Sequence, residues 1–165
     1  MVEPTVIGDV GFPSGIPIAI LFPFFFVGMW CFVCFIISRF GWSAWAEIYR
    51  CDRQLQGKSY SGRSGQFNFQ GCYNRALNVV LCEEGIGLSV MLPWRVGHPP
   101  LLLPWSKVVG VEEKNYFFFR ILQITISDAG KTFSFGLPIS AKTEFETRAL
   151  GFRGPLYQSK PALPT

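Results

Sequence analysis

Ile16-Pro17-Ile18-Ala19-Ile20-Leu21-Phe22-Pro23-Phe24-Phe25-Phe26-Val27-Gly28-Met29-Trp30-Cys31-Phe32-Val33-Cys34-Phe35-Ile36-Ile37 is an uncharged, almost wholly apolar run. About 18 consecutive apolar residues suffice to nominate a transmembrane helix. At about 1.5 Å of rise per residue this run reaches just over 30 Å, roughly one hydrocarbon core. Ser14 is placed to cap such a helix, and Pro17 falls in its first turn, where a missing N–H removes no hydrogen bond. Pro23 lies deeper and does remove one, so a kink is expected there, with a neighbouring helix or water satisfying the freed carbonyl. Phe22, Phe25, Phe26, Met29, Phe32 and Val33 recur at three- and four-residue spacing on one broad face, which meets either lipid tails or another subunit. Gly28 has no glycine four residues away, so the small-residue dimer motif is absent.

Charge gives the run a direction. Glu3 and Asp9 are the only charges before it, and all 15 Lys and Arg residues follow it, beginning with Arg39, Arg50, Arg53, Lys58 and Arg63. The positive-inside rule then puts the N-terminus outside and the C-terminal part in the cytoplasm. The five cysteines, Cys31, Cys34, Cys51, Cys72 and Cys82, are odd in number and irregularly spaced, which suits a reducing compartment better than a disulfide framework. Cys31-Phe32-Val33-Cys34 has redox-motif spacing, but inside an apolar helix it reads as two small apolar side chains on one face. Ala44-Trp45-Ala46 imitates a signal-peptidase site. The preceding acidic segment, the length of the apolar run and the intervening Arg39 favour a retained anchor instead.

Five segments follow from this reading: a short N-terminal stretch (1–15), a transmembrane helix (16–38), an interfacial helix with a basic linker (39–65), a β-rich domain (66–151) and a Pro-rich tail (152–165). Residues 39–50 are expected to leave the membrane as a helix along its surface, with Trp42 and Trp45 at headgroup depth. In the linker, Lys58 and Arg63 would rest on anionic lipid heads. Strands are expected at 66–70, 76–82, 86–92, 99–105, 117–127 and 132–137, the fourth confined to an edge by its prolines. Asp128-Ala129-Gly130-Lys131 supplies a hairpin turn, and Pro138 opens a helix over 139–150 that Gly151 closes. Consecutive strands followed by one helix make a small α+β domain, a mostly antiparallel roll of pleckstrin-homology-like type.

Gly41-Trp42 with Ala46 and Tyr49, then Tyr73-Asn74 and Leu77, then Gly85-Ile86-Gly87-Leu88-Ser89-Val90, lead to Trp94-Arg95-Val96-Gly97-His98-Pro99-Pro100 and Pro104-Trp105-Ser106. In these features, over roughly 40–126, the chain resembles a family of uncharacterised bacterial single-pass membrane proteins. The Gly-His-Pro-Pro segment with its following Pro-Trp is the most distinctive part, and Trp45 departs from the pattern by replacing a smaller apolar residue. The resemblance implies a fold and a topology in a bacterial inner membrane, and no chemistry.

The search for chemistry is brief. His98 is the only histidine, so no zinc-ligand spacing, no Ser-His-Asp arrangement and no intramembrane haem or chlorophyll ligand presents itself. No phosphate-binding glycine loop or dinucleotide fingerprint occurs, and the acidic pairs Glu83-Glu84 and Glu112-Glu113 read as solvated. Dispersed basic residues with no recognition helix argue against nucleic acid. The Arg95–His98 segment is either a rigid loop, with His98 bonded to a backbone carbonyl, or a recognition loop in which Arg95 and His98 meet an anionic headgroup or a partner's carboxylate. The expected function is therefore that of a non-enzymatic, membrane-anchored interaction protein without cofactors, its partners the lipid bilayer and other membrane subunits. The alternative is an accessory subunit of a larger membrane complex, for example a respiratory or photosynthetic one, packing through Phe22, Phe25, Phe26 and Met29.

Overall fold

The computed structural model describes residues 18–67, 71–116 and 118–150. The N-terminal stretch, the Pro-rich tail and residues 68–70 of the first expected strand lie outside them. The apolar run forms α1 (Ile18–Arg39), a continuous helix with Pro23 inside it. Its stretch Ile20–Arg39 has a mean hydropathy of 2.6, long and apolar enough to cross a membrane. Next come α2 (Trp42–Tyr49), the strands β1 (Lys58–Phe67), β2 (Gly71–Leu81), β3 (Gly85–Val90), β4 (Leu101–Pro104), β5 (Val108–Tyr116), β6 (Phe119–Asp128) and β7 (Lys131–Pro138), and finally α3 (Lys142–Leu150).

The seven strands form one antiparallel sheet in the order β4-β3-β2-β1-β7-β6-β5. The sheet curls into a half-barrel, giving the small α+β, pleckstrin-homology-like roll that the order of elements implied. Period-two alternation drives the curl's inner face. Leu122, Ile124 and Ile126 of β6 stand opposite Leu137, Phe135 and Phe133 of β7, and all six are buried. Cross-strand pairs of aromatic and branched side chains of this kind contribute roughly 0.2–1 kcal/mol each beyond their burial.

Two strands depart from the sequence expectation. β1 begins at Lys58, so 58–65 is sheet and not linker. Its Ser- and Gly-rich composition has low strand propensity, but β1 lies between β2 and β7, and the pairing overrides propensity. β5 was not foreseen, because Glu112, Glu113 and Lys114 interrupt any apolar alternation. It is an edge strand held by β6 on one side, and its charges suit an edge that must not pair with another molecule. At the opposite edge, β4 pairs with β3 and meets Arg50 in an isolated bridge at Leu101, and its Pro104 is tolerated there.

Helices occupy both open ends of the roll. At one end α3 presents Phe145, fully buried, edge-on to Trp105 with ring centroids 5.3 Å apart. The Trp105 indole N–H in turn donates to the carbonyls of Cys82 and Glu83 at 3.1 and 3.0 Å, which ties the β2–β3 turn to the same corner. Phe145 is the buried side chain of α3, so the helix docks through it. Phe145→Ala is expected to cost about 3–5 kcal/mol in urea unfolding, with α3 amides losing hydrogen-exchange protection before those of β6 and β7.

Candidate functional site

The other end of the roll faces the apolar helix, and there α1, α2 and the β3–β4 connection meet in a set of specific contacts. α1 stops at Arg39, and the Phe40 N–H donates to the Ile37 carbonyl at 3.0 Å. Gly41 then adopts φ +106°, and a Cβ on it would stand 2.8 Å from Cβ of Phe67. Only glycine satisfies both demands. The chain therefore passes within two residues directly into α2, and no tether separates α1 from the roll.

α2 carries Trp42 and Trp45 into the core, where they are 0% and 3% exposed. This corrects the expectation that both indoles sit at headgroup depth. The Trp42 ring lies 5.5, 5.6 and 5.4 Å from the rings of Phe67, Tyr73 and His98, and its N–H donates to the Pro99 carbonyl at 2.9 Å. Burying an aromatic of this size removes of the order of 200 Å² from water, a gain of up to about 5 kcal/mol that headgroup contact would not match. The β6–β7 turn clamps the outside of α2. The Tyr49 hydroxyl donates to Asp128 Oδ2 at 2.5 Å, Lys107 Nζ to Asp128 Oδ1 at 2.6 Å, and Lys131 Nζ to the Ala44 carbonyl at 3.2 Å. Lys107, and then Tyr49, hold the Asp128 carboxyl below its usual range.

The third component is the connection from β3 to β4, residues 91–100, which folds back onto α1. Gly97 has φ +76°, and a Cβ there would meet Ser38 Oγ at 2.7 Å and Phe35 Cα at 3.3 Å, so glycine lets the loop lie against the helix backbone. Higher up, the Trp30 indole N–H donates to the Pro93 carbonyl at 3.3 Å, and the Trp30 and Trp94 rings are 6.0 Å apart. Trp30, Cys34 and Ser38 recur every four residues, and Cys34 and Ser38 are the buried side chains of α1.

His98 sits where loop, α2 and β2 meet, 3% exposed. Its Nδ1 lies 2.8 Å from the Val96 carbonyl, which can only accept, so Nδ1 carries the proton. Nε2 is then the acceptor, and the Tyr73 hydroxyl donates to it at 2.9 Å. Burial lowers the pKa of His98 below 6.5, against the smaller opposing pull of the Val96 and Trp94 carbonyls. Burial likewise pushes the Tyr73 phenol up. A neutral, enclosed imidazole with both nitrogens used does not contact a headgroup or a partner's carboxylate. Arg95, two residues before Gly97, is exposed.

The other candidate residues lie apart. Lys58 starts β1 opposite Leu81, at the far end of that strand from Phe67, and its Nζ stands 5.9 Å from the Tyr60 ring centroid. Arg63 lies midway along β1 and bonds to the Ser61 carbonyl at 2.9 Å. Phe22, Phe25, Phe26 and Met29 are exposed on α1. Tyr73 and Gly97, which the sequence marked only as parts of a family pattern, complete the junction, together with Trp30 and Ser38, which it did not single out. The available signal was the stripe Trp30–Cys34–Ser38, where the indole, thiol and hydroxyl of an otherwise hydrocarbon run share one face.

A cleft of about 500 Å³ opens at the opposite end of the roll, between residues 53–57, the β2–β3 turn and α3. Its cations are paired, Arg53 with Glu84 and Arg148 with Glu144. Burial holds the Cys82 thiol in its protonated, unreactive form. Among the described residues no group of three or more His, Cys, Asp or Glu side chains is placed to hold a metal ion. No family model matches the chain, and no curated protein matches it.

The His98 pocket has a pH signature. The folded pKa is depressed, so as pH falls below about 6.5 the unfolded chain takes up its proton first and stability drops, levelling off only below the folded pKa. Urea unfolding of the full chain in detergent is expected to show a lower midpoint at about pH 5.5 than at about pH 7.5, and His98→Gln is expected to flatten most of that difference.

Proposed function

We propose that this chain is a non-enzymatic, single-pass membrane interaction protein, in which α1 anchors a pleckstrin-homology-like domain that meets lipid headgroups or a protein partner at the membrane surface. The carrying observation is the junction. Gly41, Trp42, His98 and Gly97 join span and domain without a free tether, so the roll presents one fixed end to the bilayer. The distribution of charge supports a location with the N-terminus outside and the roll in the cytoplasm, since all 15 basic residues follow the apolar run. Unpaired cysteines in the domain, among them the exposed Cys72, are compatible with that reducing side. The Gly-His-Pro-Pro and Pro-Trp segments support membership of the bacterial single-pass family they resemble, and with it an inner-membrane setting.

A second reading, an accessory subunit of a larger membrane complex, draws support from the breadth of the exposed aromatic surface on α1, where Phe22, Phe24, Phe25 and Phe32 are each more than 60% exposed. Native electrophoresis with mass spectrometry after mild-detergent extraction separates the two. The interaction-protein reading expects the chain to migrate alone, with bound phospholipid or with a substoichiometric partner. Comigration with a fixed-stoichiometry set of membrane subunits would overturn it in favour of the accessory subunit.

A further inference from the structure

The loop between β3 and β4 presents an anomaly if it faces water. Leu92 is 77% exposed and Trp94 43% exposed, Pro93 and Val96 are exposed beside them, and Arg95 is the only charge among them. Exposed apolar clusters of this kind mark a surface that something covers. The position of the loop says what covers it. Trp30, which holds Pro93 and Trp94, lies nine residues before Arg39, the first charge after the apolar run. At about 1.5 Å per residue the contact stands about 13 Å further along α1 than Arg39, close to half of a roughly 30 Å hydrocarbon core. Gly97, at the other end of the loop, touches Ser38 and so lies near the level of Arg39. The loop thus runs along the helix from the boundary to a depth where only acyl chains are available.

Four of the loop's carbonyls are paired within the protein. Non-helical chain at membrane depth needs its polar groups satisfied within the protein. The Met91 carbonyl accepts from the Trp94 N–H at 3.0 Å, and the Arg95 carbonyl from the His98 N–H at 3.0 Å. The Pro93 carbonyl accepts from the Trp30 indole at 3.3 Å, and the Val96 carbonyl from His98 Nδ1 at 2.8 Å. Pro93 has no N–H to satisfy. Two of these four bonds come from side chains, an indole of α1 and the single histidine, so both side chains serve the loop backbone. Arg95 lies on the returning limb, from which a long side chain can extend its guanidinium back to the headgroups.

We propose that the turn from Leu92 to Val96 is a second membrane element, a wedge that enters one leaflet beside α1 and takes phospholipid acyl chains as its ligand. The inference rests on reading α1 as a membrane span, and it deepens that reading: the domain is seated in the leaflet as well as anchored to it. It also gives the distinctive Gly-His-Pro-Pro segment a task, with Gly97 and His98 holding the base of the wedge against α1.

Site-specific photo-crosslinking in the full chain tests it. The benzophenone residue p-benzoylphenylalanine replaces Leu92, Trp94, Phe24 or Glu84 in turn, and the proteins are irradiated in phosphatidylcholine–phosphatidylglycerol vesicles and weighed intact. Positions 24, 92 and 94 are expected to gain the mass of one phospholipid, and position 84, at the far end of the roll, to gain none. Adducts at 24 but at neither 92 nor 94 would overturn the wedge while leaving the span intact. Absence of adducts at 24 as well would overturn both. Because Leu92 is largely exposed, its replacement leaves the fold undisturbed, and the second loop position guards against a misdirected label.

Discussion

The close approach of Gly97 to the backbone of α1 at Phe35 and Ser38 is the contact on which the arrangement of this molecule depends. A side chain at position 97 would hold the β3–β4 loop off the helix, and four further contacts would open with it: Trp30 to Pro93, Trp30 to Trp94, His98 to Tyr73 and Trp42 to the Pro99 carbonyl. The left-handed φ at Gly97 costs glycine little and any other residue more. Gly41 imposes the matching demand on the other side of the junction, where a Cβ would collide with Phe67. Two glycines thus fix the angle between a membrane-length helix and the roll.

Most single-span proteins with a compact domain would be expected to separate the two by a solvated linker. Here the polar groups of the junction are matched to one another instead. An indole, an imidazole and a phenol each satisfy a partner across different elements, and burial keeps His98 neutral so that no charge is enclosed. The Tyr49–Asp128–Lys107 group adds a charged clamp on the outside of α2, where solvent can screen it. Such a joint fixes the orientation of the roll relative to α1.

The sequence made much of this legible and hid the rest for physical reasons. Strong alternation exposed β6 and β7, and an unbroken apolar run exposed α1. β5 was hidden because an edge strand needs few buried side chains, and β1 because its glycines and serines are held by neighbours and not by propensity. Trp42 and Trp45 were misplaced since aromatics next to a span suit headgroups and a protein core equally well by composition. What distinguishes the two is Gly41, which sends the chain back onto the roll instead of along the surface. His98 stood between a structural and a recognition role, and its contact with Tyr73, 25 residues away in sequence, is a fact of tertiary structure that spacing alone does not carry.

Through this junction helix and roll form one rigid body. Pulsed electron paramagnetic resonance on the full chain in lipid nanodiscs measures it most directly, with nitroxide-bearing non-canonical residues at Leu21 on α1 and Glu84 at the far end of the roll. The account predicts a single narrow distance distribution that broadens when Gly97 is replaced by Leu. A broad distribution in the unaltered chain, of the kind a domain on a flexible tether produces, would contradict it.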